Sequence, residues 1–277
     1  MARFQIEDLL GKHKGVPAAI CGHGPSLNKN KEELVSLQKT KELVLFSVND
    51  WWKILDTPPD YWCISNPEYP MHIYSETFNK SGPFLLYATS CGQNISIPEM
   101  EKILECDYTL FDQRHFKNND CPTIIKEITV DNLVYGNNPT IGAPPKGREN
   151  EIGFDPRAIY CKNKISPTIQ EALQKAGKHI SHYSTADTVA FHAIAFAILM
   201  GCNPIYLSGI DLDYRLGYAY DANFVNSYGL NVDQTSLTFL SDMSILNESA
   251  INLGIEIINL NKDSWHTKFK IGQMKGQ

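Results

Sequence analysis

The sequence has no excess of basic residues and no apolar run long enough to cross a membrane. It carries 25 Lys and Arg against 31 Asp and Glu, a net charge of −6, and no local block of lysine or arginine. This balance excludes the basic surface by which proteins usually bind nucleic acid. The longest apolar stretch covers residues 189–200, contains His192 and falls well short of the ~20 residues that a membrane span needs.

Paired cysteine motifs are also missing. The seven cysteines include no Cys-x-x-Cys pair and their number is odd, which argues against a zinc ribbon or a disulfide framework. We expect most of them to be small buried side chains in a reducing compartment. Glu7 and Asp8 lie where a secretory signal peptide would carry its apolar core. These features together predict a cytoplasmic protein.

Short apolar runs alternate with segments of helical character, and no internal repeat or low-complexity segment interrupts them. This alternation is typical of parallel βαβ units. We therefore predict an α/β fold with a Rossmann-like, mainly parallel sheet and helices on both faces. The predicted strands are 16–20, 43–48, 61–65, 84–88, 204–207 and 255–260, and the predicted helices are 29–39, 51–55, 169–176, 188–200 and 237–253.

The length of 277 residues suffices for one large α/β domain, so we predict a single nucleotide-binding domain over residues 1–277. Residues 118–164 are rich in Asn, Pro and Gly. A long stretch of this composition inside a compact domain is usually a functional loop. We predict that residues 118–164 form an insertion or a smaller, flexible lid-like region.

The segment Cys-Gly-His-Gly-Pro-Ser-Leu, residues 21–27, directly follows the first predicted strand. Its two glycines can adopt a positive φ or let backbone approach a ligand closely, because neither carries a Cβ. Pro25 restricts φ, and Ser26 is a residue type that caps a following helix. Such a loop after the first strand of an open α/β sheet commonly holds a phosphate. A plain turn between strand and helix explains the same residues equally well.

A second polar segment follows the strand predicted at 204–207. Ser208 and Gly209 lead into two acids, Asp211 and Asp213, and into several tyrosines. The acids are suited to bind a metal, orient a ribose hydroxyl or act as a base. Tyrosine hydroxyls donate hydrogen bonds to phosphate oxygens without adding positive charge. The simpler alternative is a turn cap followed by surface tyrosines.

Together, Gly-His-Gly-Pro-Ser-Leu (22–27) and Tyr-Leu-Ser-Gly-Ile-Asp (206–211) resemble segments of the bacterial lipooligosaccharide sialyltransferases, which use CMP-sialic acid. They also resemble the wider superfamily of 6-hydroxymethylpterin diphosphokinase-like proteins and flagellin-modifying nonulosonate transferases. Asn49 at the end of the second strand, Asn66 in Ser-Asn-Pro, and the segment 218–221 line up in the same order. The resemblance covers about half of the chain, in separate islands.

The resemblance implies a set of functional residues. Tyr214 and Tyr218 are expected to contact the leaving phosphate, and Asp213 and His182 are further catalytic candidates. The expected nucleotide-binding residues are Gly22, His23, Gly24, Pro25, Ser26, Asn49, Asn66, Ser208, Gly209 and Asp211.

The chain departs from the family at three positions. His23 stands where the sialyltransferases carry Asn, and residues 226–239 contain no counterpart of their catalytic His. The family's Arg ahead of the long helix is replaced by His-Tyr-Ser-Thr, residues 182–185. The base would then be Asp213, Asp233, His182 or His23.

Three functions remain open at this stage. The first is a metal-independent glycosyltransferase without a cofactor, which uses a CMP-activated nonulosonic acid and a glycan or small-molecule acceptor. The second is an Mg²⁺-dependent diphosphokinase that transfers pyrophosphate from ATP to a pterin-like alcohol, with Asp211 and Asp213 as metal ligands. The third is a nucleotide-binding protein without turnover. Each reading allows a homo-oligomer.

Two other groups of residues are expected to have structural roles. His192 lies inside an apolar helix and is expected to pack in the core. The aromatic residues Trp51, Trp52, Tyr61 and Trp62 are expected to pack in the core or to support the loop at Asn49, rather than stack on a base.

Overall fold

The computed structural model describes residues 2–64, 82–88, 101–111, 188–213, 216–222, 243–244, 246–264, 266 and 268–274. The predicted lid-like segment 118–164 and the predicted helix 169–176 lie outside these residues. The strands are β1 (Arg3–Phe4), β2 (Ala18–Cys21), β3 (Val44–Val48), β4 (Tyr61–Ile64), β5 (Phe84–Ala88), β6 (Tyr108–Phe111), β7 (Ile205–Ser208), β8 (Ile257–Asn259) and β9 (Lys270–Ile271).

The described residues include two long α-helices, α1 (Lys31–Lys39) and α2 (Val189–Leu199). Residues 243–244 and 246–252 are helical as well, as predicted for the described part of 237–253. Single turns of 3₁₀ helix occupy Ile6–Leu9, Pro25–Lys29 and Trp51–Lys53.

The nine strands form one sheet in the order β1-β6-β5-β4-β3-β2-β7-β8-β9, and every neighbouring pair is parallel. The predicted α/β class with a parallel sheet is therefore confirmed. β2 lies in the interior of the sheet, paired with β3 on one side and β7 on the other. The chain leaves β2 toward β3 and returns later to β7, so the direction of winding reverses between β2 and β7.

Both faces of the sheet are covered, which explains why its strands are continuous apolar runs rather than alternating ones. In β2, Ala18 and Ile20 face one core cluster while Ala19 and Cys21 face the other. Leu34 of α1 belongs to the second cluster, and the whole of α2 belongs to the first apart from Ala195 and His192. The helices thus lie on opposite faces, as predicted.

All eleven residues of α2 are buried, including His192. The ring centroids of His192 and Phe111 lie 5.3 Å apart. The core assignment of His192 is confirmed. At the carboxyl end of α2, Gly201 adopts φ 76°, and the backbone N–H of Gly11 donates to the carbonyl of Leu199 at 3.0 Å. Because Gly11 precedes β2, this end of α2 lies at the amino edge of the sheet. The opposite end of α2, at Thr188, therefore lies at the carboxyl edge.

Some boundaries differ from the prediction. The helix predicted at 29–39 is two elements, because Asn30 adopts φ −129° and separates the turn Pro25–Lys29 from α1. The helix predicted at 51–55 shortens to the turn Trp51–Lys53. Strands β1, β6 and β9 were not predicted. Within the described part of the chain, no helix combines the length and apolarity that a membrane crossing requires.

Candidate functional site

A cleft lies at the carboxyl edge of the sheet, where the direction of winding reverses. In open parallel sheets, ligands bind at this topological switch point. Segments that follow β2, β3 and β7 line the cleft, together with the start of α2 and residues 217–218. The described residues enclose about 130 Å³ there.

Glycines allow the two loops of the site to approach each other. The N–H of Gly22 donates to the carbonyl of Ser208 at 2.9 Å, and that of Gly24 donates to Gly209 at 2.7 Å. A Cβ at Gly22 would overlap the carbonyl oxygen of Gly209. The glycines are thus needed for contact between the two loops. The N–H groups of Gly22 and Gly24, which the sequence suggested for a phosphate, donate to protein carbonyls instead.

Ser26 does not cap its helix through its side chain, contrary to the sequence-based expectation. The residue before the turn Pro25–Lys29 is Gly24, and Ser26 lies inside that turn. Its Oγ accepts a hydrogen bond from the N–H of Gly209 at 3.1 Å, and its own N–H donates to Asp211 Oδ2 at 3.0 Å. Ser26 therefore joins the loops after β2 and β7.

Asp211 lines the cleft but is only 4% exposed, and both of its carboxylate oxygens accept hydrogen bonds from protein groups. Its Oδ2 accepts from Ser26, and its Oδ1 accepts from Asn261 Nδ2 at 2.8 Å. Two N–H donors thus hold the carboxylate predicted to serve as a metal ligand. Asp213 lines the cleft and is only half-buried. Among the described residues, no group of three or more His, Cys, Asp or Glu side chains could hold a metal ion.

His23 lines the cleft, and both of its ring nitrogens face protein groups. Nε2 lies 3.0 Å from the carbonyl of Val48, and Nδ1 lies 3.8 Å from the Asp50 carboxylate. Since a carbonyl only accepts, Nε2 carries the proton. Burial lowers the pKa of His23, and the Asp50 charge and the bond to Val48 oppose this only in part. The lowered pKa favours the neutral form of His23 at neutral pH.

Asn49 presents a buried side-chain oxygen at the cleft. Its backbone adopts φ 44°, a conformation that Asn tolerates better than most residues. Oδ1 has no hydrogen-bond partner among the described residues, although Asn49 lines the cleft. Buried polar atoms are rarely left unpaired. This oxygen is thus the most direct sign of a ligand contact in the site.

Tyr218 lies on a short turn that docks on the glycine loop. An antiparallel bridge joins Tyr218 to Asp221, and the N–H of Ala219 donates to the carbonyl of His23 at 2.7 Å. Asn28 Nδ2 holds the Ala219 carbonyl at 2.9 Å. Tyr218 lines the cleft, whereas the predicted residues Tyr214, His182 and Asn66 lie outside the described part of the chain.

The start of the helix predicted at 188–200 is of a kind that can serve a phosphate, and its first residues, Thr188, Val189 and Ala190, line the cleft, where the helix dipole favours negative charge. Two further contributors, Asn261 and His266, were missed by the sequence analysis. Asn261 holds Asp211. His266 is buried beside the same carboxylate: burial lowers its pKa, while a hydrogen bond with the Ile210 backbone and the Asp211 charge oppose the change. The Asn residues at the end of the last predicted strand were the available signal for Asn261.

The fold and cleft define the chain as a doubly wound α/β protein with a polar cleft at its switch point. Comparisons with protein-family models and with curated proteins found no match. Among solved structures, the chain is similar to the sialyltransferase CstII from Campylobacter jejuni in complex with a substrate analogue, CMP-3FNeuAc. The identity is 14% and the TM-score 0.40, over 92% of this chain and 84% of that chain. A likeness at this level leaves the function to be argued from the site.

Proposed function

We propose that the chain is a glycosyltransferase that uses a nucleotide-activated sugar, a CMP-activated nonulosonic acid in the first instance, without a metal. The observation that carries the proposal is the convergence of the α2 amino end, Asn49 and Tyr218 on one cleft at the switch point. The resemblance of the two glycine-containing segments to the sialyltransferases supports the choice of donor. The acceptor is a glycan or a small molecule.

Neutral donors around the cleft suit a phosphate group. The first N–H groups of an α-helix have no partner within the helix and point toward its amino end. Val189 and Ala190 supply such groups at the cleft. The Tyr218 hydroxyl is a further donor that adds no charge. This set favours a phosphate that gains negative charge as it leaves, without Mg²⁺.

Asn49 is proposed to bind the nucleoside. Its unpaired Oδ1 accepts hydrogen bonds and therefore selects a donor group on the ligand, such as a ribose hydroxyl or an exocyclic amine. Asn66 is proposed to bind the same nucleoside.

In the proposed reaction, the acceptor hydroxyl attacks the anomeric carbon of the sugar. The new carbon–oxygen bond forms as the bond between sugar and phosphate breaks, and CMP departs with the electron pair. Asp213, on the cleft wall, is the described carboxylate best placed to take the hydroxyl proton. His182 remains a second candidate for this base, and Tyr214 a second donor to the phosphate.

The diphosphokinase hypothesis fits the described geometry less well. It uses Asp211 and Asp213 as Mg²⁺ ligands, but Ser26 and Asn261 already donate to the two oxygens of Asp211. The third hypothesis, nucleotide binding without turnover, differs from the first only in the chemistry step.

Thermal unfolding with CMP, CDP, UDP, GDP and ATP, each with and without Mg²⁺, separates the hypotheses. A ligand at about 100 times its Kd stabilises the folded state by about 2.7 kcal/mol. A metal-independent shift with CMP supports the proposal, and a shift with ATP that needs Mg²⁺ supports the diphosphokinase. No shift with any nucleotide refutes both.

Turnover is tested next with CMP-activated sugars. Release of CMP by the wild-type chain and its loss in Asp213→Asn, with CMP binding retained, supports the glycosyltransferase. CMP binding without release from any donor supports the non-catalytic hypothesis. The exposed acid Asp221 provides the control, because Asp221→Asn leaves the cleft wall intact.

A further inference from the structure

A chain of hydrogen bonds runs from the end of β8 to the glycine loop, across the intervening strand β7. Asn261 Nδ2 donates to Asp211 Oδ1, and Asp211 Oδ2 accepts from the Ser26 N–H. Asp211 is 4% exposed and Asn261 is 7% exposed, so water competes little for these bonds. Asn261 does not line the cleft.

The orientation of Asn261 is determined by its own neighbours. Its backbone N–H donates to Asn259 Oδ1 at 3.0 Å, and its side-chain Oδ1 accepts from the N–H of Asp263 at 3.0 Å. With Oδ1 occupied in this way, Nδ2 points toward Asp211. The amide is therefore held in one of its two possible orientations, as a donor to the carboxylate.

A buried carboxylate needs directed donors, because an unpaired one costs several kcal/mol to bury. The loop after β2 depends on the position of Asp211 as well. Gly24 lies so close to Asp211 that a Cβ at Gly24 would overlap the carboxylate. A rotation of Asp211 would thus break its hydrogen bond to the Ser26 N–H.

We propose that Asn261 is a positioning residue for the nucleotide site: it orients Asp211, and through Asp211 it holds the loop from Gly22 to Ser26 in its binding geometry. The inference about the loop rests on the contacts above, and its consequence for nucleotide affinity rests on the proposed function.

Two titratable side chains, His266 and Lys29, interact with Asp211. His266 is buried next to it, and the exposed Lys29, ion-paired with Asp263 at 2.8 Å, interacts with it more weakly. Any pH effect on the site includes these groups, so each variant must be compared with the wild-type chain at the same pH.

Asn261→Asp replaces the donor by an acceptor of the same shape. At about pH 8 two carboxylates then face each other, and we expect the affinity for CMP to fall about 10-fold or more relative to wild type. At about pH 5 a proton shared by the pair restores one O–H donor, and the affinity should return to within a few-fold of wild type. Asn261→Leu, which cannot donate at any pH, should stay weak at both.

Exchange of the donor and the acceptor between positions 211 and 261 gives a second test. It remains informative even if the single variant folds poorly. In Asp211→Asn with Asn261→Asp, the amide at 211 donates to the carboxylate at 261, and its oxygen still accepts from Ser26. This double variant should recover CMP affinity at about pH 8. Asn203→Asp is the matched control: Asn203 also makes two side-chain hydrogen bonds, with Gly254 and Glu256, at the amino edge of the sheet. It should lose stability but not CMP affinity.

Amide exchange of Ser26 in the ligand-free protein keeps the two proposals separable. We expect faster exchange in Asn261→Asp at about pH 8, after correction for intrinsic rates, and protection again in the double variant. If these changes occur but no nucleotide binds the wild type, the positioning role stands and the proposed function fails. If CMP binds wild type and Asn261→Asp equally at that pH, or Ser26 exchange is unchanged, the positioning role is refuted.

Discussion

The indole Nε1 of Trp62 donates a hydrogen bond to the carbonyl oxygen of Asn49 at 2.5 Å. The N–H of Asn49 donates in turn to the carbonyl of Cys63 at 3.0 Å, so β4 holds the Asn49 backbone from both sides. This confirms that Trp62 supports the loop at Asn49. Because the backbone is held at φ 44°, the side chain alone remains for a ligand.

Asn49→Gly removes that side chain while glycine accepts the positive φ without strain. We expect CMP binding to weaken by about 0.5–1.5 kcal/mol, the usual value of one hydrogen bond, in calorimetric titration. Lys41→Gly is the matched control, since Lys41 also has a positive φ, 62°, but is exposed at the end of α1. Equal affinities for the two variants would argue against a ligand contact by Asn49.

Tyr218→Phe removes a hydroxyl at the cleft but keeps the ring. A hydrogen bond to a charged phosphate contributes about 1.5–3 kcal/mol, and we expect a loss of this size in CMP binding. Tyr220→Phe serves for comparison, because both tyrosine rings lie 5.9 Å from the His23 ring while only Tyr218 lines the cleft. A comparable loss in both variants would assign the effect to ring packing.

Gly24→Ala should disturb the contact between the loops after β2 and β7. Gly24 has an ordinary φ of −67°, so the backbone tolerates alanine, but the added Cβ overlaps the Asp211 carboxylate. We expect the free energy of unfolding to fall by about 1–3 kcal/mol, as for other overpacked sites, together with CMP affinity. Urea denaturation and titration measure the two effects.

Gly254→Ala separates strain from overlap in that experiment. Gly254 has φ 71°, and a Cβ at this position would meet open space. The left-handed conformation costs about 1–2 kcal/mol with a side chain, so stability should drop without any change in CMP affinity. Gly24→Ala with wild-type affinity would show that the loop contact does not shape the binding site.

Burial should make the folded protein sensitive to alkaline pH through its cysteines. Burial raises the pKa of the Cys21 thiol from 9.0 to about 12, and that of Cys202 also to about 12. Between these values the unfolded chain releases protons that the folded chain retains. The free energy of unfolding is therefore unaffected by these thiols below about pH 9 and decreases as the pH rises toward about 12.

Urea denaturation between about pH 8 and 11 measures this decrease, and Cys21→Ala provides the comparison. Loss of the thiol should flatten the dependence by up to about 1.4 kcal/mol per pH unit. Alkylation of Cys21 in the native protein near pH 8 should also be slow, because the thiol is buried and protonated. An unchanged slope together with rapid alkylation of Cys21 would contradict its burial.

Long apolar patterns made the central elements predictable. β2, β3, β5 and α2 fall within one or two residues of the predicted runs, because strands and helices buried on all sides are continuously apolar. β1 and β9 have two residues each, too few to carry a pattern, and they form only because β6 and β8 offer free edges. The glycine segments were likewise visible as places where backbone must approach something closely.

Only the tertiary structure shows which groups these glycine segments approach. Sequence alone established the residue types: glycines without a Cβ, an Asn suited to a positive φ at 49, an acid at 211 and tyrosines beyond it. Only the fold brought Ser26 and Asp211, 185 residues apart, within one hydrogen bond, and placed Asn261 behind them. The reason is physical: residue periodicity follows from local backbone geometry, whereas strand order determines which loops meet at the edge of the sheet. Asp211, a candidate metal ligand by sequence, is for that reason found bracing the loop.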